Sequence, residues 1–124
     1  MNPNYLAGLT PQQRILQQRL IRKSQKTYEQ TGEILERPKV SAKKTPRSPW
    51  AKKFEEKHGF PLTDLDKVKK AYPNADVETI LKKGAGAYAS SGSRPNVSSY
   101  QWKFARLASA LLGGPASKVD KDLL

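Results

Sequence analysis

The chain has 124 residues, 23 Lys/Arg against 11 Asp/Glu, a formal net charge of +12 and no cysteine. These figures exclude a disulfide scaffold and a thiolate zinc site, and a hydrophobic share of 36% leaves too little apolar surface to bury the whole chain in one core. The charge is lopsided: residues 1–53 hold twelve Lys/Arg and three Glu, residues 54–124 eleven Lys/Arg and eight Asp/Glu, which implies an acidic partner such as nucleic acid, anionic lipid or a protein surface. No apolar run reaches membrane-spanning length and the first residues lack a signal-peptide core, so a soluble, intracellular protein that is not membrane-spanning is expected.

After a short irregular lead, Thr10-Pro11-Gln12-Gln13 announces a helix: Thr as N-cap, Pro at the first position, Gln at the third. The helix is expected to stop at Gly32. Ile15, Leu16, Leu20, Ile21 and Tyr28 make its narrow apolar stripe, and Arg14, Arg19, Arg22, Lys23 and Lys26 crowd the rest. Residues 1–32 therefore read as an N-terminal basic amphipathic helix that needs a surface to lie on. Residues 33–48 read as an extended basic linker, because Pro38, Pro46 and Pro49 forbid a helix through it. Arg37, Lys39, Lys43, Lys44, Arg47, Lys52 and Lys53 follow one another there without an acidic residue, as in a solvated chain that a partner orders.

Residues 49–124 read as a small helical domain. Ser48-Pro49 opens its first helix, with Trp50, Phe54 and His58 on one side and Gly59 as the stop. Thr63, with Asp66 completing the box, caps a second helix carrying Leu65, Val68, Ala71 and Tyr72, which Pro73 ends. Asp76 or Asn74 caps a third, with Val77, Ile80 and Leu81 inward and Gly84 closing it. The last helix, Ser98 to Gly113, has Ser98 and Gln101 as a capping box and Gly113 as its C-terminal glycine. Trp102, Phe104, Leu107, Ala108 and Leu111 cover most of it, leaving Lys103, Arg106 and Ala110 as a wet stripe, so it is the expected centre of the core. Beyond it, Asp120 and Asp122 read as solvated tail charges. The sum is an all-α chain: a small bundle of short helices around one central apolar helix, preceded by a basic helix and an extended Pro/Lys-rich arm.

The stretch Lys82 to Pro95 is dominated by small residues and allows two readings. Gly84, Gly86, Ser90, Ser91, Gly92, Ser93 and Arg94 can form an anion nest of backbone N–H groups and hydroxyls, or a tight packing loop against the central helix. It matches neither the dinucleotide fingerprint nor the P-loop. Joined to Trp102, Ala105 to Leu111, Gly113-Gly114 and Lys118-Val119-Asp120, and to Arg37-Pro38-Lys39-Val40 upstream, it resembles an uncharacterised domain family of large double-stranded DNA viruses infecting algae and protists. That family carries a KKGxGAYxSSGSRP segment before a W…ARLxSALxGG…KVD helix. The resemblance implies a viral origin and a short set of roles: virion structure, genome packaging, or control of viral or host genes.

Reactive groups are sparse. His58 is the one histidine, beside a helix-ending glycine where it caps carbonyls, and Asp64/Asp66 and Asp76/Glu78 sit in first turns, where the helix dipole favours negative charge. No catalytic residue, metal or cofactor is expected. The expected function is a viral structural protein, a minor capsid (cement or clip) component of the virion that binds other capsid proteins through its basic arm and helical domain. The alternative is a non-specific DNA-binding or genome-packaging protein of the virion core, its basic arm neutralising phosphates.

Overall fold

The computed structural model describes residues 2–42 and 48–124, and among these the protein is all-helical, without a strand. Six α-helices follow in order: α1 (Pro11–Thr31), α2 (Pro49–His58), α3 (Leu65–Ala71), α4 (Val77–Ser90), α5 (Ser99–Leu111) and α6 (Pro115–Val119). Short 3-10 turns, Pro3–Tyr5 and Lys121–Leu123, precede and follow them. The chain divides into two compact units that alternate along the sequence: Met1–Pro46 with Ala85–Trp102, and Arg47–Gly84 with Lys103–Leu124. The divisions fall between Pro46 and Arg47, within α4 and within α5.

The first unit combines buried apolar residues, Leu9, Ile21, Val40, Tyr88 and Ala89, with long-range hydrogen bonds. Thr10 caps α1 in a full box: its hydroxyl accepts from the Gln13 N–H, and the Gln13 side chain accepts from the Thr10 N–H. Gly32, at φ 74°, closes the helix through its N–H on the Tyr28 carbonyl. The face α1 buries keeps Ile21 of the expected apolar stripe, with Leu20 and Tyr28 half-buried, but not Ile15 and Leu16. Gln17, Ile21 and Ser24 point inward, while Ile15 and Leu16 are 51% and 44% exposed. The reason is pairing at long range: Gln17 Nε2 donates to the Ser93 carbonyl at 3.3 Å and Ser24 Oγ to the Ala89 carbonyl at 3.2 Å. Residues 33–42 have no regular secondary structure but are not a free arm, since Arg37 and Val40 are buried within this unit. The Val40 N–H donates to Asn96 Oδ1, and Asn96 in turn donates to Ser41 Oγ.

The second unit has the apolar core. Phe54 from α2, Leu62, Val68 from α3, Val77 and Ile80 from α4, and Leu107, Ala108 and Ala110 from α5 form one buried cluster. Trp50, Phe60, Tyr72, Phe104 and Leu111 pack on it half-buried. Ala110, expected on the wet stripe of α5, is 2% exposed, because the helix is covered on that side too. Asp64 rather than Thr63 caps α3, accepting from the Lys67 N–H. Asp120 follows α6 as its C-cap and is not a solvated tail charge: its side chain is fully buried and takes both Nε and Nη2 of Arg106, at 2.9 and 2.7 Å.

Helix α4 also departs from expectation. Gly84 was the expected stop, yet the helix runs on through Gly84 and Gly86 to Ser90. Gly84 serves approach rather than termination: a Cβ there would lie 2.8 Å from the Lys103 Cα.

Candidate functional site

Arg37, foremost of the basic-arm residues, sits at the centre of the first unit. Its backbone N–H donates to the Tyr88 hydroxyl at 2.9 Å. Nη1 donates to Ser24 Oγ and to the Tyr88 carbonyl at 2.9 and 2.8 Å, and Nη2 to Ser93 Oγ at 2.7 Å. The guanidinium lies 3.8 Å from the Tyr88 ring centroid, in cation–π range. Burial pulls its pKa down, and the Tyr88 and Glu36 side chains push back; burial likewise raises the Tyr88 hydroxyl, which the Arg37 N–H opposes. Every acceptor around the guanidinium belongs to this unit, so it is a structural pin and not a hand held out to a partner. Sequence alone offered no sign of its burial, because its partners come from three distant segments.

The remaining arm residues are placed differently. Lys39, Lys52 and Lys53 are exposed, with Lys53 Nζ 4.6 Å from the Trp50 ring centroid. Lys43, Lys44 and Arg47 lie outside the described residues. In the small-residue stretch, Gly84, Gly86 and Ser90 belong to α4, where backbone N–H groups serve the helix. A Cβ on Gly86 would lie 2.9 Å from the Tyr28 hydroxyl, and one on Gly92, at φ 108°, 3.1 Å from the Tyr5 ring. Ser93 is buried on Arg37 and Gln17, while Ser91 and Arg94 are exposed. Gly84, Gly86, Ser90, Gly92 and Ser93 are drawn into internal contacts, while Ser91 and Arg94 stay exposed.

Groups with acid–base chemistry are similarly engaged. His58 Nε2 is 2.8 Å from the Tyr72 hydroxyl, within a cluster of rings from Phe54, Phe60 and Tyr72. Burial, with Lys57 adding to it, holds its pKa below the usual value. Asp76 accepts from the N–H and hydroxyl of Thr79 at the start of α4, which lowers its pKa, and Glu78 takes Lys69 Nζ at 2.7 Å. Among the described residues no three His, Cys, Asp or Glu side chains group as metal ligands. A shallow depression in the second unit, lined by Ala71, Tyr72, Pro73, Ala75, Ala110 and Leu111, presents no reactive pair.

The basic residues that crowd the rest of α1 include a distinct outer face. Arg19, Arg22, Lys23 and Lys26 stand at i, i+3, i+4 and i+7, the spacing that puts side chains on one face. All four are exposed, and Ile15 and Leu16 extend the same face by one turn. Their spacing is plain in the sequence. What hid the face was assigning Ile15 and Leu16 to the inward stripe.

This arrangement defines a helical, cationic protein whose internal polar groups maintain the fold. A family model matches residues 3–123, and the chain belongs to that family, a family of unknown function (DUF5824). No curated protein and no solved structure matches it.

Proposed function

We propose that the protein is a structural component of the particle of a large double-stranded DNA virus, a minor capsid protein that cements neighbouring capsid subunits. The viral setting rests on the resemblance of the Lys82–Pro95 and Trp102–Asp120 segments. The observation that carries the binding role is how carboxylates are spent. Asp120 is buried on Arg106, Asp76 caps α4, Asp64 caps α3, Glu78 holds Lys69, and Glu36 accepts from the Ser99 N–H. The lysines left outward, among them Lys39 in the first unit and Lys52 and Lys53 in the second, meet acidic rims on neighbouring subunits. Because residues 33–42 pack within their own unit, cementing works through folded surfaces and not through a loose threading arm.

The test is incorporation. A tagged Lys39→Glu/Lys52→Glu/Lys53→Glu variant, shown by circular dichroism to keep its helicity, is expected to be missing from purified particles that contain the tagged wild type. Incorporation at the wild-type level refutes the cementing role. Release of the wild-type protein by nuclease treatment of opened particles would place it with the genome instead.

A further inference from the structure

The outer face of α1 has no role in the cementing reading, which stands or falls without it. We infer that this face is a docking surface for duplex DNA, bound through its phosphate backbone. The face carries Arg19, Arg22, Lys23 and Lys26, all exposed, and among the described residues none of the four is ion-paired. The helix has one acidic residue, Glu29, near its C-terminal end. From residue 19 to 26 the axis advances about 10 Å. Along one strand of a duplex, phosphates recur about every 3.4 Å, so about four fall within that length. Four cations thus face about four phosphates at matched density.

The chemistry of the face selects among anionic partners. A helix lying in a lipid interface needs a broad apolar side to bury. Here Ile21 is fully buried in the protein, and only Ile15 and Leu16, at one end, remain outward. A protein interface is anchored by aromatic or large apolar groups at its centre. The middle of this face holds only Arg and Lys. A phosphate backbone asks for cations and hydrogen-bond donors without an apolar anchor. Gln12 and Gln30, both exposed and in register with Arg19, Lys23 and Lys26, extend the line of donors at each end.

The helix is also presented rigidly. Its capping box, the Gln17 and Ser24 hydrogen bonds and buried Ile21 fix its rotation about its axis, with the cationic side out. Binding then costs side-chain ordering but little backbone ordering.

The experiment is fluorescence anisotropy of full-length protein with a labelled mixed-sequence duplex between about 50 and 200 mM salt, the range over which counterion release is read. Neutralising four phosphate contacts reduces the log–log salt slope by about 3.6, equivalent to roughly 150-fold in affinity across that range. The Arg19→Gln/Arg22→Gln/Lys23→Gln/Lys26→Gln variant is expected to lose that slope. A variant of equal charge, Lys82→Gln/Lys83→Gln/Lys118→Gln/Lys121→Gln, is expected to keep most of it. Circular dichroism confirms that both remain helical. Equal losses in the two variants overturn the inference, since net charge alone would then explain binding. So does wild-type protein that fails to bind the duplex at low salt, or that binds phosphatidylserine vesicles in its place. Particle incorporation of the α1 variant separates this result from the cementing role.

Discussion

Replacing Arg37 by Met tests whether a buried guanidinium holds the segment after α1 in place. Met keeps an apolar stem of similar length but removes three donated hydrogen bonds, to Ser24 Oγ, the Tyr88 carbonyl and Ser93 Oγ, and the cation above the Tyr88 ring. Hydrogen bonds from charged donors contribute about 1.5–3 kcal/mol each. Against them stands relief of desolvation, because among the described residues no carboxylate hydrogen-bonds this buried cation, and that relief recovers several kcal/mol. Two of the acceptors also keep other bonds: Ser24 Oγ still donates to the Ala89 carbonyl, and Ser93 Oγ to the Arg94 carbonyl. The balance is a net loss of about 3 kcal/mol, since the Tyr88 carbonyl is left without its donor. The assay is amide hydrogen exchange at Arg37 and Val40, whose N–H groups are held by the Tyr88 hydroxyl and by Asn96. A loss of that size lowers their protection by roughly 150-fold, at about 1.4 kcal/mol per decade, while Ile80 and Leu107 of the other unit stay protected. Arg37→Lys restores the charge but not the fork, and should recover less than half of the loss. Unchanged protection at position 40 in Arg37→Met would refute the pin.

In α4, Gly84→Ala should destabilise by about 1–3 kcal/mol in chemical denaturation despite the better helix propensity of Ala, because the new Cβ meets the Lys103 backbone; a stabilised variant would contradict the close approach. Asp120→Asn should cost about 3 kcal/mol, as it leaves the Arg106 cation with one neutral acceptor where a buried carboxylate took both of its nitrogens, and a loss under 1 kcal/mol would show that the pair is not needed. His58 has its pKa lowered in the fold, so the unfolded chain binds the proton more readily. The stability it contributes is complete above its ordinary pKa of about 6.5 and is lost as pH falls through the lower folded value. Thermal unfolding between pH 7 and 5 should show that decline in the wild type and a flatter profile in His58→Phe.

The parts of this fold that were legible in the sequence are those decided within a few residues. Thr10 with Gln13 and Ser98 with Gln101 form the capping boxes their spacing announces, and Gly32 and Gly59 close α1 and α2 in the left-handed conformation. The misread parts were decided by contacts at long range. A glycine after an apolar run signals either a helix end or a close crossing, and Gly84 was read as the first although Lys103 makes it the second. The inward side of α1 was assigned by hydrophobicity to Ile15 and Leu16, yet its rotation is set by Gln17 and Ser24, whose acceptors lie at Ser93 and Ala89. Arg37 and Asp120 were read as solvated because Arg and Asp usually are. Each is buried by partners that no local pattern identifies.

These internal contacts explain why the segments that carry the resemblance say so little about function. In the first unit, Arg37, Tyr88 and Ser93 from those segments hold one another. In the second, Arg106 and Asp120 form the buried pair, and a Cβ on Gly114 would lie 2.6 Å from Ser109 Oγ. Segments that carry the resemblance are thus spent on packing and internal hydrogen bonds. Such residues specify a fold, and a chain can keep them whatever its outer surface binds. Among the described residues Arg19, Arg22, Lys23 and Lys26 are exposed and take part in no ion pair, so packing does not account for their pattern. Substitution therefore divides the two sets cleanly. Gly84→Ala and Asp120→Asn should lower stability and reduce every binding activity together through loss of folded protein, whereas neutralising Arg19, Arg22, Lys23 and Lys26 should leave the unfolding midpoint within about 0.5 kcal/mol of wild type, the range for surface changes, and remove only the salt-dependent attraction for the duplex.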